Sequence, residues 1–279
     1  MKILVTGSNG YIGRHVVKYL LDQGHHVIAA DISNDLVDDR AEKINASIFE
    51  NTEGAFKRFG SPDVCIHLAW RNGFVHNAAT HISDLPAHYE FLKSMIDGGL
   101  KSLSVMGTMH EIGYWEGAID ENTPCNPQSL YGISKNALRQ SIIQIAKEKN
   151  VNLYWLRAYY ILGDDSKNHS IFSKLLDMDS QGIKKFPFTS GKNLYDFISV
   201  DQLAKYIGLA STQDAVTGII NVCTGNPVSL GQKAEEFIDK NGLSIRLDYG
   251  AFPDRPYDSP GVWGDATKIN QILSNGESK

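Results

Sequence analysis

Met1-Lys2-Ile3-Leu4-Val5-Thr6-Gly7-Ser8-Asn9-Gly10-Tyr11-Ile12-Gly13 opens the chain, and the order of residue types in it decides the fold. Lys2 to Thr6 is short, apolar and β-branched, and reads as a strand. Gly7, Gly10 and Gly13 follow at GxxGxxG spacing, and from Tyr11 to Gln23 the apolar residues recur at helical intervals. A strand that turns over glycines directly into a helix leaves the first N–H groups of that helix unpaired, at the positive end of its dipole. The glycines permit a tight turn and a close backbone approach, so the turn suits a pyrophosphate. Gly7, Asn9, Gly10, Tyr11, Ile12 and Gly13 are therefore the expected contacts of a dinucleotide.

Beyond this stretch, short apolar runs keep alternating with amphipathic stretches. Lys2 to Thr6, His26 to Ala30, Asp63 to Ala69, Leu103 to Met106 and Asn152 to Leu156 read as strands; Tyr11 to Gln23, Thr80 to Gly98 and Tyr131 to Lys149 read as helices. Strands separated by helices pair in parallel through right-handed crossovers, which makes the first ~160 residues a doubly wound α/β sheet. After Gly163 the pattern loosens into shorter elements punctuated at Phe186-Pro187, Gly225-Asn226-Pro227 and Phe252-Pro253-Asp254-Arg255-Pro256. Residues 1–163 are expected to form the dinucleotide-binding domain with the catalytic residues. Residues 164–279 should form mainly a smaller substrate-binding lobe, with segments returning to the core.

The second strand ends in Asp31, where a carboxylate can accept hydrogen bonds from both hydroxyls of an adenine ribose and repels a 2′-phosphate. NAD is the expected cofactor. NADP stays open, because Arg40 could partly rescue a phosphate if its loop folds back. Further along, Tyr131-Gly132-Ile133-Ser134-Lys135 puts a phenol and an ammonium four residues apart, on one face of a helix. A fixed positive charge nearby favours phenolate, which would let Tyr131 exchange a proton near neutral pH. Val105-Met106-Gly107-Thr108-Met109-His110-Glu111 lies just past the fifth strand, at the end where open α/β sheets bind ligands. The Thr108 hydroxyl is placed to hold a substrate oxygen beside Tyr131, whereas Ser104, inside the strand, suits packing. Thr108, Tyr131 and Lys135 form the candidate catalytic set.

Composition excludes several classes. Hydrophobic residues make up 42% and charged residues 21% of the 279, and a net charge of -5 supplies no basic field for nucleic acid. Cys65, Cys125 and Cys223 show neither CxxC spacing nor a histidine at zinc-ligand distance, so no metal site is expected and the thiols read as reduced and structural. The amino terminus turns glycine-rich at once, and no apolar run reaches the ~18 to 20 residues that cross a bilayer. A cytoplasmic protein with no membrane partner is the expectation.

From Met1 to about Ile272 the chain resembles the extended short-chain dehydrogenase/reductase superfamily, in its branch of nucleotide-sugar epimerases, dehydratases and 4-ketoreductases. The resemblance rests on Gly7/Gly10/Gly13, His67-Leu68-Ala69 after the fourth strand, Gly107-Thr108, Tyr131 with Lys135, Tyr195 to Asp201 and Arg255-Pro256. It implies a Rossmann sheet and a nucleotide-sugar substrate. It also implies Leu68 and Ala69, with Tyr131 and Lys135, as cofactor contacts, and Thr108, Met109, Tyr160 and Arg255 as substrate contacts. Arg255 matches the arginine that grips the substrate diphosphate, while His67 reads as structural. A homodimer is implied through the helices Thr80 to Gly98 and Tyr131 to Lys149; Leu138, Ile142, Ile145 and Ala146 give the second an apolar stripe that suits either core or interface.

Departures from the family pattern narrow the reaction. The sugar 4,6-dehydratases follow their catalytic Thr with Asp and Glu, and here Met109 and His110 stand instead, so loss of water is not expected. Ser47 occupies the place of the acidic residue near the adenine, and Tyr160 that of a substrate-contacting Asn. The resemblance favours NAD(P)H-dependent reduction of a nucleotide-linked 4-keto-6-deoxyhexose at C4, with dTDP-4-keto-6-deoxyglucose going to dTDP-fucose as its most specific form. A nucleotide-sugar 4-epimerase using the same residues is the alternative.

Overall fold

The computed structural model describes residues 1–163, 170–254 and 258–277. In chain order the first half contains β1 (Lys2–Thr6), α1 (Gly13–Asp22), β2 (His26–Asp31), β3 (Glu42–Asn45), α2 (Ala55–Arg58), β4 (Val64–His67), α3 (Thr80–Ser83), α4 (Leu85–Asp97) and β5 (Ser102–Thr108). After a 3-10 turn at Met109–Glu111 come β6 (Gly117–Ile119), α5 (Leu130–Lys149), β7 (Asn152–Ala158) and β8 (Tyr160–Leu162). The second half contains α6 (Ile171–Ser180), β9 (Lys185–Pro187), β10 (Leu194–Ser199), α7 (Val200–Ser211), β11 (Gly218–Val222), β12 (Pro227–Ser229), α8 (Leu230–Lys240), β13 (Arg246–Asp248), β14 (Gly261–Gly264) and α9 (Thr267–Glu277).

Seven strands pair in parallel in the order β11-β7-β5-β4-β1-β2-β3. Residues along β1 alternate between the two faces: Ile3 and Val5 enter one apolar cluster, with Val16, Leu20, Leu203 and Ile207 of α1 and α7, and Leu4 enters another, with Phe91, Leu92, Leu138 and Ile142 of α4 and α5. A sheet covered on both sides is the reason its strands read as continuous apolar runs. The winding direction reverses between β1 and β4, where Thr6 is in register with His67. Such a switch point opens a crevice at the carboxyl ends of the strands.

One sequence expectation changes. The stretch from Thr80 to Gly98 is two helices, α3 and α4, separated at Asp84. Pro86 in the first turn of α4 has no N–H to continue a preceding helix, and the Asp84 carboxylate takes the Arg71 guanidinium, with Nη2 at 2.7 Å. The central sheet also takes in a segment from beyond the first ~160 residues, its edge strand β11 at Gly218–Val222, one of the returning segments of 164–279.

A second sheet, β12-β10-β14-β6 with β8 also paired to β10, lies beyond the carboxyl ends, and β9 and β13 form a separate ribbon. Leu175, Phe186, Phe188, Ala234, Ile238 and Ile245 give this region a small core of its own. Among the described residues no helix is long and apolar enough to cross a membrane.

Candidate active site

At the end of β1 the backbone folds as the glycine spacing requires. Gly7 has φ +69°, and a Cβ there would come within 2.6 Å of the Ala69 nitrogen; one on Gly13 would lie 2.0 Å from the Gly7 carbonyl oxygen. Leu68 and Ala69 thus cross directly against the turn, and the Leu68 N–H donates to the Thr6 carbonyl at 3.1 Å. No side chain caps α1, which Ile12 precedes, whereas α5, α6, α7 and α8 are capped by Ser129, Ser170, Ser199 and Ser229. An uncapped helix start behind a cradle without Cβ atoms fits a pyrophosphate. Tyr11 packs beside this turn with its hydroxyl against Gly163.

Asp31 closes β2. Its carboxylate accepts the N–H groups of Asn9 at 3.1 Å and Ile32 at 2.7 Å, while the Asn9 side chain accepts the Leu36 N–H at 2.8 Å. Two backbone donors hold the carboxylate at the strand end where a ribose would lie. Arg40 is committed elsewhere: its Nη2 sits 2.7 Å from both Asp22 and Asp38, and those contacts hold the Asp38 carboxyl down at about 2. The loop therefore does not turn Arg40 toward Asp31. Ser47 takes the Phe49 N–H on its hydroxyl at 3.2 Å and offers no charge beside the adenine place.

Thr108 ends β5 and starts the 3-10 turn. Its hydroxyl accepts the His110 N–H at 3.2 Å, and it lies close enough to the Tyr131 phenol, on the first turn of α5, to favour that group's ionised form. Lys135, one helical turn on, is buried, and its ammonium donates to the Met106 carbonyl at 2.8 Å and lies 3.8 Å from the centre of the Trp70 ring. Thr108, Tyr131 and Lys135 are thus brought together. Burial, assisted by the Glu111 charge, pushes the phenol up to about 12, and burial draws Lys135 down to about 7. Burial thus keeps Tyr131 as the protonated acid.

Glu111 was missed as a functional residue. It is fully buried, accepts the Thr108 N–H at 2.9 Å and the Trp155 indole N–H at 2.8 Å, and faces Arg139 at 3.3 Å and Arg157 at 3.4 Å. Its carboxylate fixes the turn that aims Thr108. The signal was present as Thr108-x-x-Glu111, a capping box.

Rings surround the phenol: His76 is stacked at 5.6 Å, His81 lies at 5.2 Å, His110 at 6.0 Å and Trp70 at 6.2 Å. His110 is held down at about 4 by burial and the neighbouring His76, so it is a neutral imidazole. His67 is buried in the sheet, sharing hydrogen bonds with Thr6 at 2.8 Å and His88 at 3.0 Å, which matches a structural role. Met109, expected beside the substrate, is 7% exposed and packs into the core with Met106 and Ile112. Tyr160 packs against Tyr195 at 4.3 Å and Phe197 at 5.8 Å, across the paired strands β8 and β10. Arg255 lies outside the described residues.

A dinucleotide cradle at the switch point, with a Tyr–Lys pair on the helix after the fifth strand, defines an NAD-dependent enzyme of the extended short-chain dehydrogenase/reductase type. The chain belongs to the NAD dependent epimerase/dehydratase family, whose model matches residues 3–223. It is 44% identical over 269 residues to dTDP-6-deoxy-L-talose 4-dehydrogenase (NAD(+)) of Aggregatibacter actinomycetemcomitans, covering 95% of this chain and 99% of that protein. In fold it is similar to the UDP-glucose 4-epimerase of Thermotoga maritima, with a TM-score of 0.81 and 23% identity over 97% of this chain and 92% of that one. The UDP-glucuronic acid 4-epimerase of Bacillus cereus gives a TM-score of 0.82 at 20% identity, covering 98% and 93%.

Proposed function

We propose that the protein interconverts a hydroxyl and a ketone at C4 of a dTDP-linked 6-deoxyhexose, exchanging NAD(H) at each turnover. The observation that carries this reading is the grouping of Thr108 at the end of β5 with a protonated Tyr131 on the first turn of α5 and buried Lys135 one turn further on. The cradle would hold NADH, which would supply the hydride for C4 in the reducing direction. Tyr131 gives its phenolic proton to the O4 oxygen, and Thr108 donates a hydrogen bond to the same oxygen and keeps it in line. Lys135, near 7, returns a proton to the phenolate, which a lysine at its ordinary 10.5 would do less readily at neutral pH. The uncapped α1 start and Asp31 would hold the pyrophosphate and adenine ribose, and Arg255 the substrate diphosphate.

The 44% relative acts, by its name, on dTDP-6-deoxy-L-talose, which favours the L-talo product over the dTDP-fucose of the sequence reading. Met109 and His110 in place of two carboxylates weigh against dehydration. Incubation with NADH and dTDP-, GDP- and UDP-linked 4-keto-6-deoxyhexoses, followed at 340 nm, a cofactor property, tests the proposal; NMR of the product gives its configuration at C4. No NADH oxidation with any of them overturns it. An absorbance spectrum of the purified protein showing tightly retained NAD, together with sugar interconversion without net oxidation, would assign a 4-epimerase instead. We further propose a homodimer through α4 and α5, for which sedimentation at ~31 kDa in micromolar solution is the contrary result.

A further inference from the structure

We propose that Trp70 is the positioning residue of Lys135: its indole face seats the ammonium, and its N–H, anchored on His81, fixes the angle of that face. The proposal rests on the oxidoreductase reading of Thr108, Tyr131 and Lys135. A lysine ammonium has three donors, and Lys135 is buried with the Met106 carbonyl as its one hydrogen-bond acceptor among the described residues. The π face 3.8 Å away adds negative potential on a second side of the ammonium.

The indole is itself held on several sides. Its Nε1–H donates to Nδ1 of His81 at 3.0 Å, which puts the His81 proton on Nε2, and that nitrogen donates to the Val75 carbonyl at 3.0 Å. The Trp70 ring stacks on His88 at 4.3 Å and 15°, and meets Tyr131 edge-on at 6.2 Å and 65°. One side chain therefore touches both the proton donor and the lysine behind it.

The other ionisable groups around Lys135 do not do this work. His67 on β4 and His88 on α4 are bonded to one another and kept neutral, His88 down at about 3, by burial and by the lysine itself. Glu111, after β5, acts from a distance with its charge committed to Arg139 and Arg157. Tyr131, on the same helix, is protonated. Trp70 and the Met106 carbonyl are the direct contacts that favour the charged lysine, so removing the π face lowers the pH at which Lys135 titrates and frees its side chain.

Titration of the ligand-free protein by NMR, with ¹³Cε-lysine and the Lys135 signal assigned by its loss in Lys135→Met, reads this without any substrate. Trp70→Leu should move the Lys135 midpoint down by about one pH unit, and Trp70→Phe, which keeps a π face, by a few tenths. In turnover, kcat should fall roughly ten-fold or more in Trp70→Leu with KM for NADH changed less, and Trp70→Phe should recover most of it. Trp70→Met fills the space without a π face and replaces Trp70→Leu if that variant does not fold. An unchanged Lys135 midpoint in either folded variant overturns the proposal. A shifted midpoint in a protein that turns over no nucleotide sugar would leave the Trp70 seat standing and sink the substrate reading alone.

Discussion

Lys135→Met should change how stability depends on pH, and by an amount the structure sets. In the folded chain burial holds this ammonium near 7, against 10.5 for a free lysine. Between those values the unfolded chain binds the proton that the folded chain has released, so wild-type stability rises with pH through the window. The gain is lost as the pH falls back through 7, where both states carry the proton and desolvation of the charge is borne in full. Each pH unit in the window corresponds to about 1.36 kcal/mol, so from pH 7 to pH 9 the wild-type chain should gain roughly 2 to 3 kcal/mol relative to Lys135→Met, which has nothing to titrate at that position. Urea denaturation of both proteins at pH 7, 8 and 9 measures the difference directly, since groups common to both cancel. A difference in stability that stays constant across the three pH values would mean that Lys135 is solvated and titrates normally, and the seat described above would not exist.

Tyr131→Phe keeps the ring and removes the proton donor, so kcat should drop by about 10² to 10⁴ while NADH binding, followed by fluorescence, survives. Glu111→Ala strips the partner from buried Arg157 and releases the Thr108 N–H; a loss of about 3 to 5 kcal/mol in urea denaturation is expected, and less than about 1 would show the charges to be solvated. If Asp31 meets the adenine ribose, as proposed, then with Arg40 held by Asp22 and Asp38 steady-state kinetics should give NADH the lower KM, and a clear preference for NADPH would contradict that placement. Arg255→Ala should weaken binding of the nucleoside diphosphate by about one to two orders of magnitude in calorimetry, with NADH affinity unchanged.

How far the sequence carried depended on whether a residue's partners are local. The turn from Thr6 to Gly13 and the spacing of Tyr131 and Lys135 are written within one strand–turn–helix or one helical turn, and both were legible. β3 was not delimited, because Glu42–Asn45 is a polar edge strand paired on one side and lacks the apolar run that marked the others. The break at Asp84 was audible in Pro86 but was overridden by the apolar spacing around it. The environment of Lys135 was out of reach: the pattern on α5 suggested an ammonium pushing Tyr131 toward phenolate, while its contacts, Met106 and Trp70, come from β5 and from the loop after β4. Glu111 lay between, legible as a cap on its own turn but not as the carboxylate facing Arg139 and Arg157.

The placement of β11 bears on how this chain could be divided or made. Its five residues, Gly218–Val222, cover the flank of β7, pairing Tyr154 through Ala158. A fragment of residues 1–163 would contain the whole cradle and the Tyr–Lys pair, and yet would bare β7 as a long apolar edge carrying Trp155 and Leu156. Exposed edges of that kind recruit strands from other molecules. On the ribosome the same gap persists until Val222 has emerged, so synthesis passes through an interval in which the nucleotide-binding half is almost complete and most adhesive.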